Sequence, residues 1–187
     1  MLPFAANPPI RPNGVGTIAQ FKSQWWVAHT KPRCEKAFAW DLVRQEINFF
    51  IPMVERVKFV SGKKRRVVQP LFSSYVFFNG DDDARHQAME TKRLCQIIPV
   101  FQQNQLVEEL VCLERTLVEG VQIDCYPFAA MGSRCRIKAG PLQGIEGVVV
   151  DRGRSARLVL KVTILGQGAS FEVDADLLEP VDLAATA

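Results

Sequence analysis

Few side chains in this sequence have the types and spacing that catalysis needs. His29 and His86 are the only histidines, and no G-x-S-x-G, P-loop or H-E-x-x-H spacing supplies a nucleophile, a phosphate cradle or a zinc pair. Asp81-Asp82-Asp83 could gather a divalent cation, but adjacent acids also complement the positive end of a helix, and a helix start is the plainer reading. Gly140, Gly144 and Gly147 lead into a strand rather than a helix, so they turn backbone instead of cradling phosphate. Cys34, Cys95, Cys112, Cys125 and Cys135 are odd in number with no C-x-x-C, and Cys125, Cys135 and His86 stand at no familiar zinc spacing. They read as free thiols, which points to a reducing cytoplasm. The expectation is a protein that is not an enzyme, with no metal and no cofactor.

Binding chemistry is better represented. Between Arg56 and Arg66 lie six Lys/Arg and no acid, ending in Lys63-Lys64-Arg65-Arg66. Such a cluster is either a solvated turn that blunts a strand edge or a contact for phosphates. Phosphate contact by these four residues would be salt-dependent and largely blind to sequence. Pro70-Leu71-Phe72-Ser73-Ser74-Tyr75, with Phe49-Phe50, is the densest aromatic cluster. It either packs a core or lines an apolar cavity that anchors a partner.

The elements that must position these residues follow from periodicity. Gln24 to Thr30 is an aromatic and β-branched run, a strand ended by Pro32. Cys34, Phe38 and Leu42 recur every four residues over Cys34–Glu46, a helix with Trp40 off its apolar stripe. Phe49-Phe50-Ile51 leads a second strand. Residues 55–69 read as a hairpin with the basic cluster at its tip, and Tyr75–Phe78, nearly all apolar, reads as a central strand. A helix from Asp81 to about Lys92, a strand over 97–101 whose Pro99 argues for an edge or a bulge, and a core-facing helix over 104–119 complete an α+β domain with an antiparallel sheet. Leu106, Leu110, Leu113 and Leu117 carry the seam of that last helix.

After a linker at 121–131 the pattern turns to short strands spaced by turns, as in a small all-β barrel. Residues 1–23, rich in Pro and Gly, read as a flexible leader, and 182–187 as a tail. The chain of 187 residues thus divides into domains at 24–120 and 132–181, within the usual range of roughly 100–200 residues for one domain or two small ones. Its net charge of +3 names no partner, and no apolar run is long enough to span a membrane.

Trp26-Val27-Ala28-His29-Thr30-Lys31-Pro32-Arg33-Cys34-Glu35-Lys36, the basic hairpin and Pro70-Leu71-Phe72-Ser73-Ser74-Tyr75-Val76-Phe77 together resemble the N-terminal domain of NusG-type transcription factors. Gly132 to Val149 resembles their KOW motif, an SH3-like barrel. The resemblance covers roughly residues 24–181. Thr30-Lys31-Pro32-Arg33 and Pro70-Leu71-Phe72 are closer to specialised RfaH/UpxY-like paralogues than to the housekeeping factor.

The resemblance implies a non-enzymatic factor that docks an apolar cavity on the clamp helices of the largest RNA polymerase subunit and favours processive elongation, here as operon-restricted antitermination. Phe72 and Tyr75 match the polymerase-contacting motif, with Trp26, Phe50, Leu71 and Ile97 around them. His86 aligns with a second polymerase contact, followed by Gln87-Ala88 where RfaH has Thr-Thr. Lys31 and Arg33 match positions facing the upstream DNA fork, and non-template DNA or nascent RNA is the implied nucleic acid. Leu142, Ile145 and Leu165 fall at the loop tips through which the family's KOW barrel meets a small-subunit ribosomal protein or Rho. Leu142 and Leu165 stand where an aromatic is usual, and Ser73-Ser74 where Pro-Gly is usual.

Two rivals are a housekeeping NusG-type factor and a KOW-containing RNA-binding or ribosome-associated protein. The latter should have a strongly basic barrel, yet residues 131–180 hold seven Lys/Arg against six acids. Arg152, Arg154 and Arg157 nevertheless cluster on one turn, the place in this part of the chain for a local RNA hairpin contact. Val148-Val149-Val150 and Val162-Thr163-Ile164 favour a stable β structure over a helical alternative.

Overall fold

The computed structural model describes residues 7–60, 62–126, 132–152 and 156–181. The first part of the expected leader, the end of the expected linker, Arg154 and the tail lie outside the described residues. The chain divides into two compact units, 1–103 and 104–187. The first contains β1 (Trp25–Thr30), α1 (Glu35–Arg44), β2 (Asn48–Phe50), β3 (Met53–Val60), β4 (Lys63–Pro70), β5 (Tyr75–Asn79), α2 (Asp82–Glu90) and β6 (Leu94–Pro99). Its antiparallel sheet has the order β2-β5-β1-β6, and β3 pairs with β4 as a separate two-stranded ribbon.

Apolar content sets this order. β5 and β1 are apolar on both faces and take the two inner places, whereas β6 ends in Pro99, which has no N–H to donate, and lies at an edge. The pairs Trp26↔Phe78 and Ala28↔Val76 turn one face toward the helices. Phe38, Ala39 and Leu42 of α1 and Ala88 of α2 share a buried core with Ala28, Phe49, Val76 and Phe78. Burying each large side chain there contributes about 1.5–3 kcal/mol.

The acidic run starts a helix: Asp81 Oδ1 accepts from the Ala84 N–H at 3.0 Å, satisfying a donor of the first turn. Gly80 is required just before it, because a Cβ there would sit 2.4 Å from Ala84 Cβ.

Within the expected flexible leader, residues 7–23 are tied to the domain at several points. Ile18 is fully buried in a short 3-10 turn, Ile10 C=O accepts from the Ile51 N–H, and Ser23 C=O accepts from the Asn79 side chain. Scattered prolines disguised a segment that supplies backbone carbonyls to the domain.

The second unit holds nearly all of α3 (Gln103–Val118), followed by β7 (Asp124–Tyr126), β8 (Ser133–Ile137), β9 (Glu146–Arg152), β10 (Ala156–Val162), β11 (Gln167–Val173) and β12 (Leu178–Pro180). Leu106, Leu110 and Leu113 are buried, as the seam requires, but in the second unit rather than in the first domain where the sequence placed this helix. The strands form one antiparallel sheet of order β12-β8-β9-β10-β11-β7. Where the sequence suggested a closed barrel, its edge strands β12 and β7 pair with no further strand among the described residues. β7 lies inside the expected linker and takes the free edge of β11. Three residues are too few to show a period in the sequence.

Candidate nucleic-acid interface

Lys36, Trp40 and Arg44 recur every four residues on α1, so they line one side of the helix away from the Phe38–Leu42 stripe. Across from them lie Arg33 at the β1–α1 turn, Arg93 before β6, and Gln69 and Pro70 at the end of β4. Together these line a groove of about 560 Å³ in the first unit. Four cations border it. Glu35, the only acid in the lining, is buried and accepts from the Ser74 N–H at 2.7 Å.

The groove is built rather than incidental. Asp41 accepts from both Arg44 and Arg93, fixing two guanidinium groups on one carboxylate. The hydrogen bond to Asp41 holds the Arg93 guanidinium above its ordinary value, so it keeps its charge. Lys36 Nζ donates to Val68 C=O on β4 and to Asn7 Oδ1, and burial lowers its ammonium below the usual lysine value against the opposing charge of Glu35. Arg33 adopts φ +62, a left-handed conformation uncommon for a side chain of its size, and remains exposed. Such a groove offers cations and an indole face to an anionic, aromatic ligand.

Of the residues the sequence singled out for nucleic acid, Arg33 lines this groove. Lys31 is exposed two residues earlier, and its backbone N–H donates to Arg93 C=O. Lys63, Lys64, Arg65 and Arg66 are all exposed along β4. They occupy a ribbon whose far end in the chain, Gln69-Pro70, forms part of the groove wall. Lys36 and Arg44 were not singled out from the sequence; their four-residue spacing from Trp40 is the signal that could have found them. Arg93 carried no local signal, because only the fold brings it beside Asp41.

The residues expected to meet polymerase are not gathered into one open cavity. Phe50 and Phe72 are fully buried and Leu71 nearly so; both rings pack near Phe77, with centroids 6.5 and 6.4 Å away. Of the two roles the sequence left open for this aromatic cluster, these three residues take the core-packing one. Truncating Phe72 to Ala would therefore cost about 3–5 kcal/mol of stability, so a loss of binding in that variant would report on folding rather than on a contact.

The other four are more accessible. Tyr75 is half-buried and stacked on His29, with ring centroids 5.1 Å apart. Trp26 is half-buried, donates from Nε1 to Gly80 C=O and lies under the Arg85 guanidinium. Ile97 packs partly into the core against α1 and α2, and His86 is exposed on α2.

In the second unit, Leu142 and Ile145 are buried rather than displayed at a loop tip. Hydrogen bonds from Ile137 N–H to Ile145 C=O and from Gly144 N–H to Ile137 C=O fold their loop back on β8 and carry both side chains inward. Leu165, half-buried in the turn Thr163–Leu165, is the accessible member of that trio. Glu109 of α3 accepts from both the backbone N–H and the hydroxyl of Thr163, and Arg115 donates to Pro141 C=O.

Among the described residues no group of three or more His, Cys, Asp or Glu is placed to hold a metal ion, and no helix is long and apolar enough to cross a membrane.

Comparison with solved structures returns the domain-interaction structure of Thermotoga maritima NusG, 16% identical, covering 86% of this chain and 98% of that one with a TM-score of 0.50. It also returns the MjSpt4:Spt5 complex, 13% identical over 84% of this chain and 97% of that one, with a TM-score of only 0.27. At these identities the first likeness concerns the fold alone, and the second carries no argument. Residues 23–111 match the family model described as transcription termination factor nusG. That segment, which holds the sheet, both helices packed on it and the basic groove, is similar to the NusG family.

Proposed function

We propose that this chain is a non-enzymatic transcription factor that rests on RNA polymerase and favours processive elongation past pause and termination sites at a restricted set of operons. The observation that carries the reading is the groove of Arg33, Lys36, Arg44 and Arg93 beside Trp40, in the segment that matches the NusG family. A displaced single strand of DNA near the transcription bubble presents the phosphates and base faces that such a groove would hold. The clamp helices of the largest polymerase subunit are the proposed docking partner. Tyr75, Trp26, Ile97 and His86 are the accessible contacts, while Phe50, Leu71 and Phe72 hold the sheet in shape. The open six-stranded sheet of the second unit is read as a KOW module, with Leu165 available for a ribosomal or termination-factor partner.

The test is transcription by bacterial core polymerase on a template bearing an intrinsic terminator, with the chain added. Read-through should rise, and Lys31→Glu with Arg33→Glu should remove most of that rise while core polymerase still retains the variant in a pull-down. Tyr75→Ala should weaken retention itself. No change in read-through with the unaltered chain would overturn the elongation reading. Chromatin occupancy spread evenly over transcribed genes would overturn its operon restriction.

A further inference from the structure

The β3–β4 ribbon carries a feature that a merely charged turn does not need. Its pairing register Val57↔Arg66 and Phe59↔Lys64 places two apolar and two cationic side chains on one face. Phe59 is 69% exposed and Val57 58%, among the most exposed large apolar side chains described. Lys64 Nζ lies 5.8 Å from the centre of the Phe59 ring. Lysines that blunt a strand edge explain the charge, but they leave an uncovered phenylalanine unexplained. On the opposite face, the pair Lys58↔Arg65 adds cations at the rim. The ribbon root is fixed by Val54 and Val67, both buried, so the exposed outer half stands on an anchored base.

We propose that this ribbon binds single-stranded DNA by stacking a base on Phe59, with Lys64, Arg66, Lys58 and Arg65 taking the flanking phosphates. The inference rests on the reading above that the basic surface of the first unit meets nucleic acid, and it adds a second, separate binding element. An aromatic ring with cations beside it matches a strand whose base faces are bare. Duplex DNA hides those faces, and its groove edges call for hydrogen-bonding side chains, which Phe59 and Val57 are not. Glu55, the one carboxylate in the ribbon, faces Arg66 at 3.3 Å. That pair is exposed to solvent, so Arg66 can exchange Glu55 for a phosphate.

Fluorescence anisotropy of the full chain with labelled dT15 tests this directly. Phe59→Ala and Phe59→Leu should each weaken dT15 binding by about 5- to 150-fold, the equivalent of losing one stacked base, with the salt slope unchanged. Phe59→Trp should retain affinity, with tryptophan emission quenched on binding beyond the change seen in the unaltered chain. Lys64→Gln with Arg66→Gln should instead reduce the salt slope by about 1.4, or 0.7 for each lost phosphate contact on a single strand.

Unchanged affinity in both Phe59→Ala and Phe59→Leu would overturn the proposal. So would equal competition by duplex per nucleotide, which is charge-only binding, or a tenfold preference for U15 over dT15. The assay contains no polymerase, so it can fail while read-through by the unaltered chain succeeds, and the reverse.

Discussion

Ser74 takes φ +65, a conformation that costs a side-chain-bearing residue about 1–2 kcal/mol and glycine almost nothing. Its C=O accepts from the Thr30 N–H at 2.8 Å and its N–H donates to Glu35, so the turn ties the start of β5 to the end of β1 and to α1. It is also the position where the resemblance leads one to expect glycine. Ser74→Gly should therefore stabilise the first unit by about 0.5–1 kcal/mol, the strain relieved less the added freedom of the unfolded chain. Chemical denaturation would read this as a higher midpoint at unchanged slope; a lower midpoint would mean that the serine hydroxyl contributes more than the turn strains. Arg33 shows the same backbone state at φ +62 beside the groove, where the unusual conformation keeps its side chain among the other cations.

At the scale of elements, two antiparallel arrangements divide the work. The four-stranded sheet and its helices are held by a dense aromatic interior, and the β3–β4 ribbon leaves that interior with its charges outward. Each strand of the ribbon has eight residues, about 25 Å of extended chain, and its cations occupy the outer part, from the Arg56↔Val67 pair to Lys63.

The sheet of the second unit is close-packed at its centre. A Cβ on Gly147 of β9 would come 2.8 Å from both Leu158 Cγ and Val159 C=O of β10. Gly147→Ala should thus destabilise that unit by about 1–3 kcal/mol, through overpacking against a neighbouring backbone that has little room to move. Thermal denaturation followed in the second unit would show it, and an unchanged transition would mean that β9 and β10 are more loosely paired than their register indicates.

For the whole molecule, the net charge of +3 is a poor guide to binding, because its cations are unevenly placed. At physiological salt the screening length is about 8 Å, so a phosphate responds to nearby charges far more than to the total. Lys31→Gln with Arg33→Gln and Lys138→Gln with Lys161→Gln each lower the net charge by two. The first pair should weaken dT15 binding about five- to tenfold by removing phosphate contacts. The second, from exposed positions outside the proposed interface, should change it by less than about twofold. Equal losses from the two pairs, measured by anisotropy at one salt concentration, would mean that overall charge governs binding after all.

The sequence by itself determined what depends on neighbours along the chain. The 3.6-residue repeat of Cys34, Phe38 and Leu42, the alternation of the β3–β4 arms and the acidic start of α2 are local, and the structure has the corresponding elements. The basic hairpin was legible for the same reason, since charge density along a short strand needs no distant partner. Burial was not legible. Phe50, Leu71, Phe72, Leu142 and Ile145 look like candidate contacts in a string of letters, and only packing makes them core. The tied segment 7–23 and the three-residue strand β7 escaped because their order comes from distant backbone partners, not from periodicity. The groove was half visible. Lys36, Trp40 and Arg44 share a helical repeat, but Arg93 joins them because residues fifty apart meet on one carboxylate of Asp41. Tertiary structure decided which side chains remain available for binding, because accessibility is a property of the packed whole.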